Sequence, residues 1–347
     1  QVSNHEIRVP LAAITNNRVL VNLNQGNDRL DAASLGATLV LEVAGGPGDD
    51  TIFGSSQSDS LLGGAGNDSI IAGDGDDVVD GGEGNDNLDG GSGSDTLQVI
   101  ADAHLRISTN DTFGAGSDSH SGFEQAILTA GAGNNRLDAS EANFPVTLSG
   151  LGGNDTLLGG SGIDRLDAGD GRDFVEVTGT NIVLTDASAP AATGDTLISV
   201  ESLQLIASGA NSLIDASGYT LGPVTIIGSG GNDTLKGGAG NDLILAGGGF
   251  DVVTGGAGDD FIAGNAGNDS LSGDDGDDTI VGGRGRDTLA GGQDADVLLG
   301  VSGNDTIDGG DGADQIRGGG GRDVLNGEDG PDALVGGAGR DDLAGGI

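Results

Sequence analysis

The chain has no cysteine, no methionine and no tryptophan, and only 2% of its residues are aromatic. Without cysteine there are no disulfides and no thiolate metal sites. The absence leaves the compartment open, but it suits a protein that must stay unfolded during export. The shortage of large side chains argues against a conventional globular core. Cations are scarce as well: 13 Lys and Arg stand against 55 Asp and Glu, for a formal net charge of -42. That balance argues against charge-driven binding to nucleic acid or to an anionic membrane. No apolar run is long enough to span a bilayer, so direct membrane insertion is not expected. The first ten residues, QVSNHEIRVP, show neither an initiator methionine nor a signal-peptide pattern. The last nine, GRDDLAGGI, stop inside a repeating unit. Both ends read as cut, and the chain is expected to be part of a longer protein.

Glycine fills much of the gap, with 72 of 347 residues. High charge with few aromatics usually signals disorder. Leu, Ile and Val nevertheless recur at fixed intervals, which a disordered tail does not need. Residues 63–89, GGAGNDSIIAGDGDDVVDGGEGNDNLD, are three nonapeptides in register, each with aspartate sixth and an aliphatic residue eighth. One such register covers 45–98, with Asp50, Asp59, Asp68, Asp77, Asp86 and Asp95 in sixth place. A second covers 150–176, with Asp155, Asp164 and Asp173. A third begins at Gly228, with Asp233, Asp242, Asp251, Asp260, Asp269, Asp278, Asp287, Asp296, Asp305, Asp314, Asp323, Asp332 and Asp341. All 22 units carry Ile, Leu or Val eighth.

Between the arrays lie segments rich in Val, Ile, Leu and Thr, which read as β-structure. The expected organisation is a truncated β connector over 1–44, an array over 45–98, a connector over 99–149, an array over 150–176, a connector over 177–227 and an array over 228–347. No stretch shows helical periodicity with caps.

Within one unit, residues seven to nine suit a short strand and the first six suit a tight turn, where glycine permits positive φ and close backbone approach. Two units make an 18-residue coil. Stacked coils form a parallel β-roll or β-helix solenoid, expected to be right-handed, with the eighth-place aliphatics filling a thin interior. Coils stack about 4.8 Å apart, which aligns the aspartates of units i and i+2. Two carboxylates ~5 Å apart repel by roughly 3 kcal/mol at an effective dielectric of 20. The same column supplies hard oxygen ligands, from carboxylates and unpaired carbonyls, at a density that suits Ca²⁺ better than Mg²⁺. Each aspartate therefore reads as half of a metal site completed two units on.

The unit G-G-x-G-x-D-x-(aliphatic)-x resembles the nonapeptide of RTX (repeats-in-toxin, hemolysin-type) proteins, a Ca²⁺-binding β-helix repeat. The resemblance implies Ca²⁺-dependent folding and bacterial secretion, usually by a type I system with an uncleaved C-terminal signal. No such signal is evident. With sites shared between units i and i+2, roughly 10 to 16 Ca²⁺ are expected.

Some units depart from the pattern. GSSQSDSLL has Ser55 and Gln57 in place of glycines, GGQDADVLL has Asp294 fourth where positive φ is needed, and GEDGPDALV has Pro331 fifth. These are expected to be weak sites. Asp31, Asp138 and Asp215, in RLDAAS, RLDAS and LIDAS, fall outside the register and read as turn residues or extra ligands. Arg284, Arg286, Arg317, Arg322 and Arg340 read as turn residues that offset local acidity.

His5, His104 and His120 are scattered, with no H-E-x-x-H, and there is no G-x-S-x-G elbow. They read as packing or surface residues, and the chain reads as non-enzymatic. The third place of the long array shows no threonine ladder, which argues against ice binding. The expectation is a calcium-binding structural or adhesive scaffold, secreted or at a bacterial cell surface and able to self-associate into layers or filaments. The alternative is the non-catalytic RTX part of a secreted enzyme or toxin.

Overall fold

The computed structural model describes residues 17–35, 38–179, 181–186 and 195–346. His5 lies outside them. The described residues contain strands and turns and no helix. Contacts divide the chain into two compact units, residues 1–171 and 172–347. Each is a stretch of parallel β-solenoid.

In the first unit, one sheet stacks Val40–Pro47, Ser60–Ala65, Val78–Glu83, Thr96–Ile100, Gln125–Thr129, Val146–Ser149 and Arg165–Asp167 in parallel. The other stacks Arg29–Asp31, Thr51–Phe53, Ser69–Asp74, Asn87–Ser92 and Ser117–Ser121. Residues 99–149 do not interrupt the ladders. They widen one coil through an antiparallel excursion, Leu105–Ser108 against Asp111–Phe113 against Ser117–Ser121. The chain then resumes parallel pairing, with Leu105–Ser108 on Arg136–Glu141 and the latter on Thr156–Leu158.

The second unit repeats the plan with greater regularity. Val252–Ala257, Ser270–Asp275, Thr288–Gln293 and Thr306–Asp311 form one sheet. Leu243–Gly249, Phe261–Gly267, Thr279–Arg284 and Val297–Ser302 form the other.

The division of the nonapeptide differs from the sequence expectation. Strand Ser69–Asp74 contains residues seven to nine of one repeat and one to three of the next. Only Gly75, Asp76 and Asp77 make the turn. The ladder skips one place, since Ile71 pairs Asp89 and Gly73 pairs Gly91, and this gap falls at the first residue of the repeat. The second residue resumes pairing in the left-handed region, with Gly64 at φ 120° and Gly73 at φ 115°. That conformation favours glycine because it lacks a Cβ.

Alternation across the strand sends the eighth residue inward. Leu61, Ile70, Val79, Leu88 and Leu97 are at most 1% exposed, as are Val253, Ile262, Ile280, Leu289 and Leu298. Burying each such side chain contributes roughly 1.5–3 kcal/mol. His120 occupies the same inward place, pairing beside Leu88, and is 4% exposed between Phe123 and Phe144.

Candidate metal centre

The sixth residue ends each turn and also points inward. From Asp50 to Asp323, all twenty sixth-place aspartates are 3% exposed or less. Asp332 and Asp341, near the last coil, are partly covered. In the arrays, each carboxylate uses one oxygen to bind the coil before it. Asp68 Oδ1 accepts the N–H of Asp50 at 2.7 Å, and Asp86 Oδ1 accepts that of Asp68 at 2.7 Å. Asp260, Asp278 and Asp296 continue the same pattern at 2.7–2.8 Å. The aspartates are thus columns, spaced 18 residues apart in sequence, as the repeat predicted.

The other oxygen is bare over most of the arrays. Oδ2 is buried without a hydrogen-bond partner in Asp50, Asp68, Asp77, Asp86 and Asp95, and in every sixth-place aspartate from Asp251 to Asp332. A buried acceptor without a donor costs several times what a made hydrogen bond contributes, and more when charged. Burial pushes several of these carboxyls up, Asp68, Asp77, Asp86, Asp260, Asp269 and Asp296 among them, against the lowering effect of the N–H bond and with neighbouring aspartates adding to the rise. Asp77, Asp260 and Asp296 reach about 7, and Asp68, Asp86 and Asp269 about 6.

The space beside each bare oxygen is kept open by the first glycine of the repeat. A Cβ on Gly63 would meet Asp68 Oδ2 and the carbonyl oxygen of Gly81; one on Gly255 would meet Asp260 Oδ2 and the carbonyl of Gly273. A carboxylate and a backbone carbonyl therefore face one cleared volume, a donor set of hard oxygens. No cluster of three or more His, Cys, Asp or Glu that could hold a metal occurs among the described residues. Any cation held here takes much of its coordination from backbone carbonyls.

A second ladder runs outside the first and was not anticipated. Fifth-place residues accept in the opposite direction: Asp49 Oδ1 takes the N–H of Asn67 at 2.9 Å, and Asn67 Oδ1 that of Asn85 at 2.9 Å. Where Asn, Asp or Ser fills this place, the turn is also tied to the coil that follows. The signal is legible in the sequence, since Asn or Asp fills the fifth place of many units, Asp49, Asn67, Asp76 and Asn85 among them.

The aspartate columns also pass into the connectors. Asp28 and Asp118 are buried and sit in line with Asp50 and Asp86, with Asp28 N–H on Asp50 Oδ1 at 2.7 Å and Asp86 N–H on Asp118 Oδ1 at 3.0 Å. Glu124 extends the line beyond Asp95 at 2.8 Å. GNDRLD and GSDSHS are thus degenerate repeats, hidden by their missing aliphatic spacing or glycines.

The out-of-register aspartates lie on strands and not in turns. Asp31 pairs with Arg29 at 2.9 Å, Asp138 with Arg136 at 3.0 Å and Asp215 with Lys236 at 2.8 Å. Asp138 and Asp215 are held below the usual carboxylate range by serine and cationic donors that outweigh burial. Arg284 and Arg317 also stand on strands rather than in turns. Asp294 adopts φ 72°, as its fourth place requires. His104 Nδ1 accepts the N–H of Arg136 at 2.9 Å.

The family profile of the RTX calcium-binding nonapeptide repeat (four copies) matches residues 43–70, 62–97, 147–177, 225–253, 254–289, 290–325 and 317–347, more than half of the chain. The chain belongs to the RTX family. RTX nonapeptide repeats bind calcium, several ions to an array, and the bare carboxylate oxygens facing backbone carbonyls fit that ion. RTX repeats are typical of secreted bacterial proteins, and the RTX β-roll is typically a non-catalytic scaffold. No curated protein compared with the chain matches it. Among the described residues, no helix is long and apolar enough to cross a membrane.

Proposed function

We propose that this RTX chain is a calcium-dependent structural or adhesive scaffold of a secreted or cell-surface bacterial protein. Its sixth-place aspartates hold the ions between successive coils of arrays 45–98, 150–176 and 228–347. One observation carries the reading: buried columns of carboxylates whose second oxygen has no donor from the protein. Such columns make a compact state costly without cations and stable with them. The residues of the first place would supply carbonyl oxygens, and calcium would supply the missing positive charge.

The scaffold role draws further support from the continuity of the ladders through residues 99–149, which form a widened coil and not a separate folded module. Self-association is part of the same reading. Strands of this solenoid pair coil on coil in parallel, and a coil edge is able to accept a strand from another copy in the same way.

A calcium titration followed by circular dichroism, with bound metal counted at saturation, tests the proposal. Roughly 10–16 ions and a cooperative gain of β signal are expected. Fewer than about five ions, or an unchanged β spectrum after exhaustive chelation, would overturn it. Sedimentation with and without calcium addresses assembly: a strictly monomeric chain at high concentration with calcium removes the self-association part.

A further inference from the structure

Four sixth-place aspartates break the pattern. Asp59, Asp164, Asp233 and Asp242 have no bare oxygen, because the second residue of their own repeat turns its N–H onto Oδ2. Ser55 donates to Asp59 at 2.6 Å, Gly160 to Asp164 at 2.8 Å, Ser229 to Asp233 at 2.8 Å and Gly238 to Asp242 at 2.7 Å. None of these second residues has positive φ. In the fifteen array repeats with a bare Oδ2, the second residue always has positive φ, between 61° and 130°. The nonapeptide therefore occurs in two backbone states, capped and open.

Residue type does not separate them. Gly160 and Gly238 sit in units that match the repeat pattern, GGSGIDRLD and GGAGNDLIL, yet are capped. Asn265, Asp274 and Val301 are not glycine, yet are open at φ 71°, 80° and 76°. The preceding coil is a necessary part of the difference and not the whole of it, since Asp155 follows Asn135 and still has Leu151 at φ 69°. In the capped repeats Oδ1 takes the N–H of Leu41, Val146, Ser212 or Val224, so the coil before offers no carboxylate. Three of these repeats stack against the D-A-S segments. There the chain closes a tight turn, with Leu35 N–H on Ala32 O at 2.9 Å, Ala142 on Ala139 at 2.8 Å and Tyr219 on Ala216 at 2.8 Å. Gly160 packs on the carbonyls of Ala139 and Ala142, and Gly238 on those of Ala216 and Tyr219.

We infer that capped repeats bind no calcium and that an internal N–H takes the ion's place. In Asp59, Asp233 and Asp242 the only neighbouring column carboxylate comes from the coil after, and both of the capped aspartate's oxygens already accept N–H donors, which leaves them less to offer a cation. One N–H is then enough to satisfy the second oxygen. An aspartate stacked on a carboxylate of the coil before puts two negative charges in one buried space, which a neutral donor does not neutralise. The capped repeats, second in the first two arrays and first and second in the third, are thus metal-free seams, able to hold their turns where calcium is absent. This inference rests on the calcium-binding reading above and assigns its exceptions.

Isosteric variants test it, since asparagine retains an Oδ1 acceptor for the ladder. Asp242→Asn and Asp260→Asn differ by one coil, and bound calcium is counted for each at saturation by native mass spectrometry. Asp242→Asn is expected to keep the full wild-type number, and Asp260→Asn to lose at least one ion. A loss from Asp242→Asn equal to that from Asp260→Asn overturns the inference. Should either variant fail to fold, Asp59→Asn against Asp68→Asn decides by the same criterion. A wild-type chain that binds no calcium overturns the calcium reading itself, whereas calcium binding with equal losses overturns the seams alone.

Discussion

At the level of single residues, the repeat assigns glycine two separate tasks. First-place glycines clear the room beside the carboxylate, and second-place glycines resume the ladder at positive φ. Gly63→Ala would place a Cβ against Asp68 Oδ2 and the Gly81 carbonyl. It is expected to remove at least one ion and raise the calcium midpoint of folding, as read by circular dichroism. Val301 is the opposite case, a β-branched residue held at φ 76° and 48% exposed. Val301→Gly releases that strain and loses little packing. It is expected to stabilise the calcium-loaded protein by about 1 kcal/mol, measured by denaturant midpoint. Asp269→Ala should raise the calcium midpoint more than Asp59→Ala. Asp269 has a bare buried oxygen, whereas Asp59 is already capped by Ser55 through N–H and hydroxyl. Equal midpoints would remove the distinction.

At the scale of elements, the widened coil over residues 99–149 replaces an eighth-place aliphatic with His120. Its Nε2 is buried without a hydrogen-bond partner, and burial pushes its pKa down despite nearby Asp111 and Asp118. A histidine with a lowered folded pKa contributes stability above its unfolded value, near 6.5, and loses it as pH falls below that value. His120→Leu is therefore expected to stabilise the calcium-loaded chain by about 1–2 kcal/mol. It should also flatten the decline of stability between pH 7 and pH 5, read by thermal midpoint. An unchanged acid profile would show that the imidazole is not the group responsible.

For the whole chain, charge is expected to decide whether the fold forms. Sixteen bound ions, the upper bound before the capped repeats are excluded, would change the formal charge from -42 to about -10. Without them, glycine-rich turns must be ordered at high entropic cost while carboxylate columns stay buried. Each site adds about 2.7 kcal/mol at a hundredfold excess of calcium over Kd, and several coupled sites exceed the ~5–15 kcal/mol of an ordinary domain. The chain is expected to be largely disordered in chelator at pH 7. The raised carboxyl values of about 6 to 7 give the sign of the pH effect. A raised folded value means that the metal-free fold is most favoured below the unfolded value, 3.8, and loses that support as pH rises through 6 to 7. In chelator, acidification from pH 7 toward 4 should increase β signal, and calcium affinity should fall over the same range. A metal-free spectrum indifferent to pH would contradict the burial of the columns.

The solenoid, its 18-residue coil, the inward Ile70 and Leu88 and the columns through Asp68 and Asp260 were legible in the sequence, because a nine-residue period translates directly into stacking. What the period could not convey was local and depended on neighbours. The extension of strands over residues one to three follows from ladder bonds to adjacent coils. Asp28 and Asp118 join the columns through register alone, since their own segments lack the full motif. His120 lies in the core because an antiparallel excursion returns it beside Leu88. Above all, GGAGNDLIL around Asp242 and GGAGNDSII around Asp68 begin with the same six residues, yet one carboxylate is capped and the other bare. The sequence of a repeat by itself determined where its aspartate lies. Tertiary stacking decided what that aspartate meets, because the second N–H turns inward only where the coil before it offers no matching turn and no second charge.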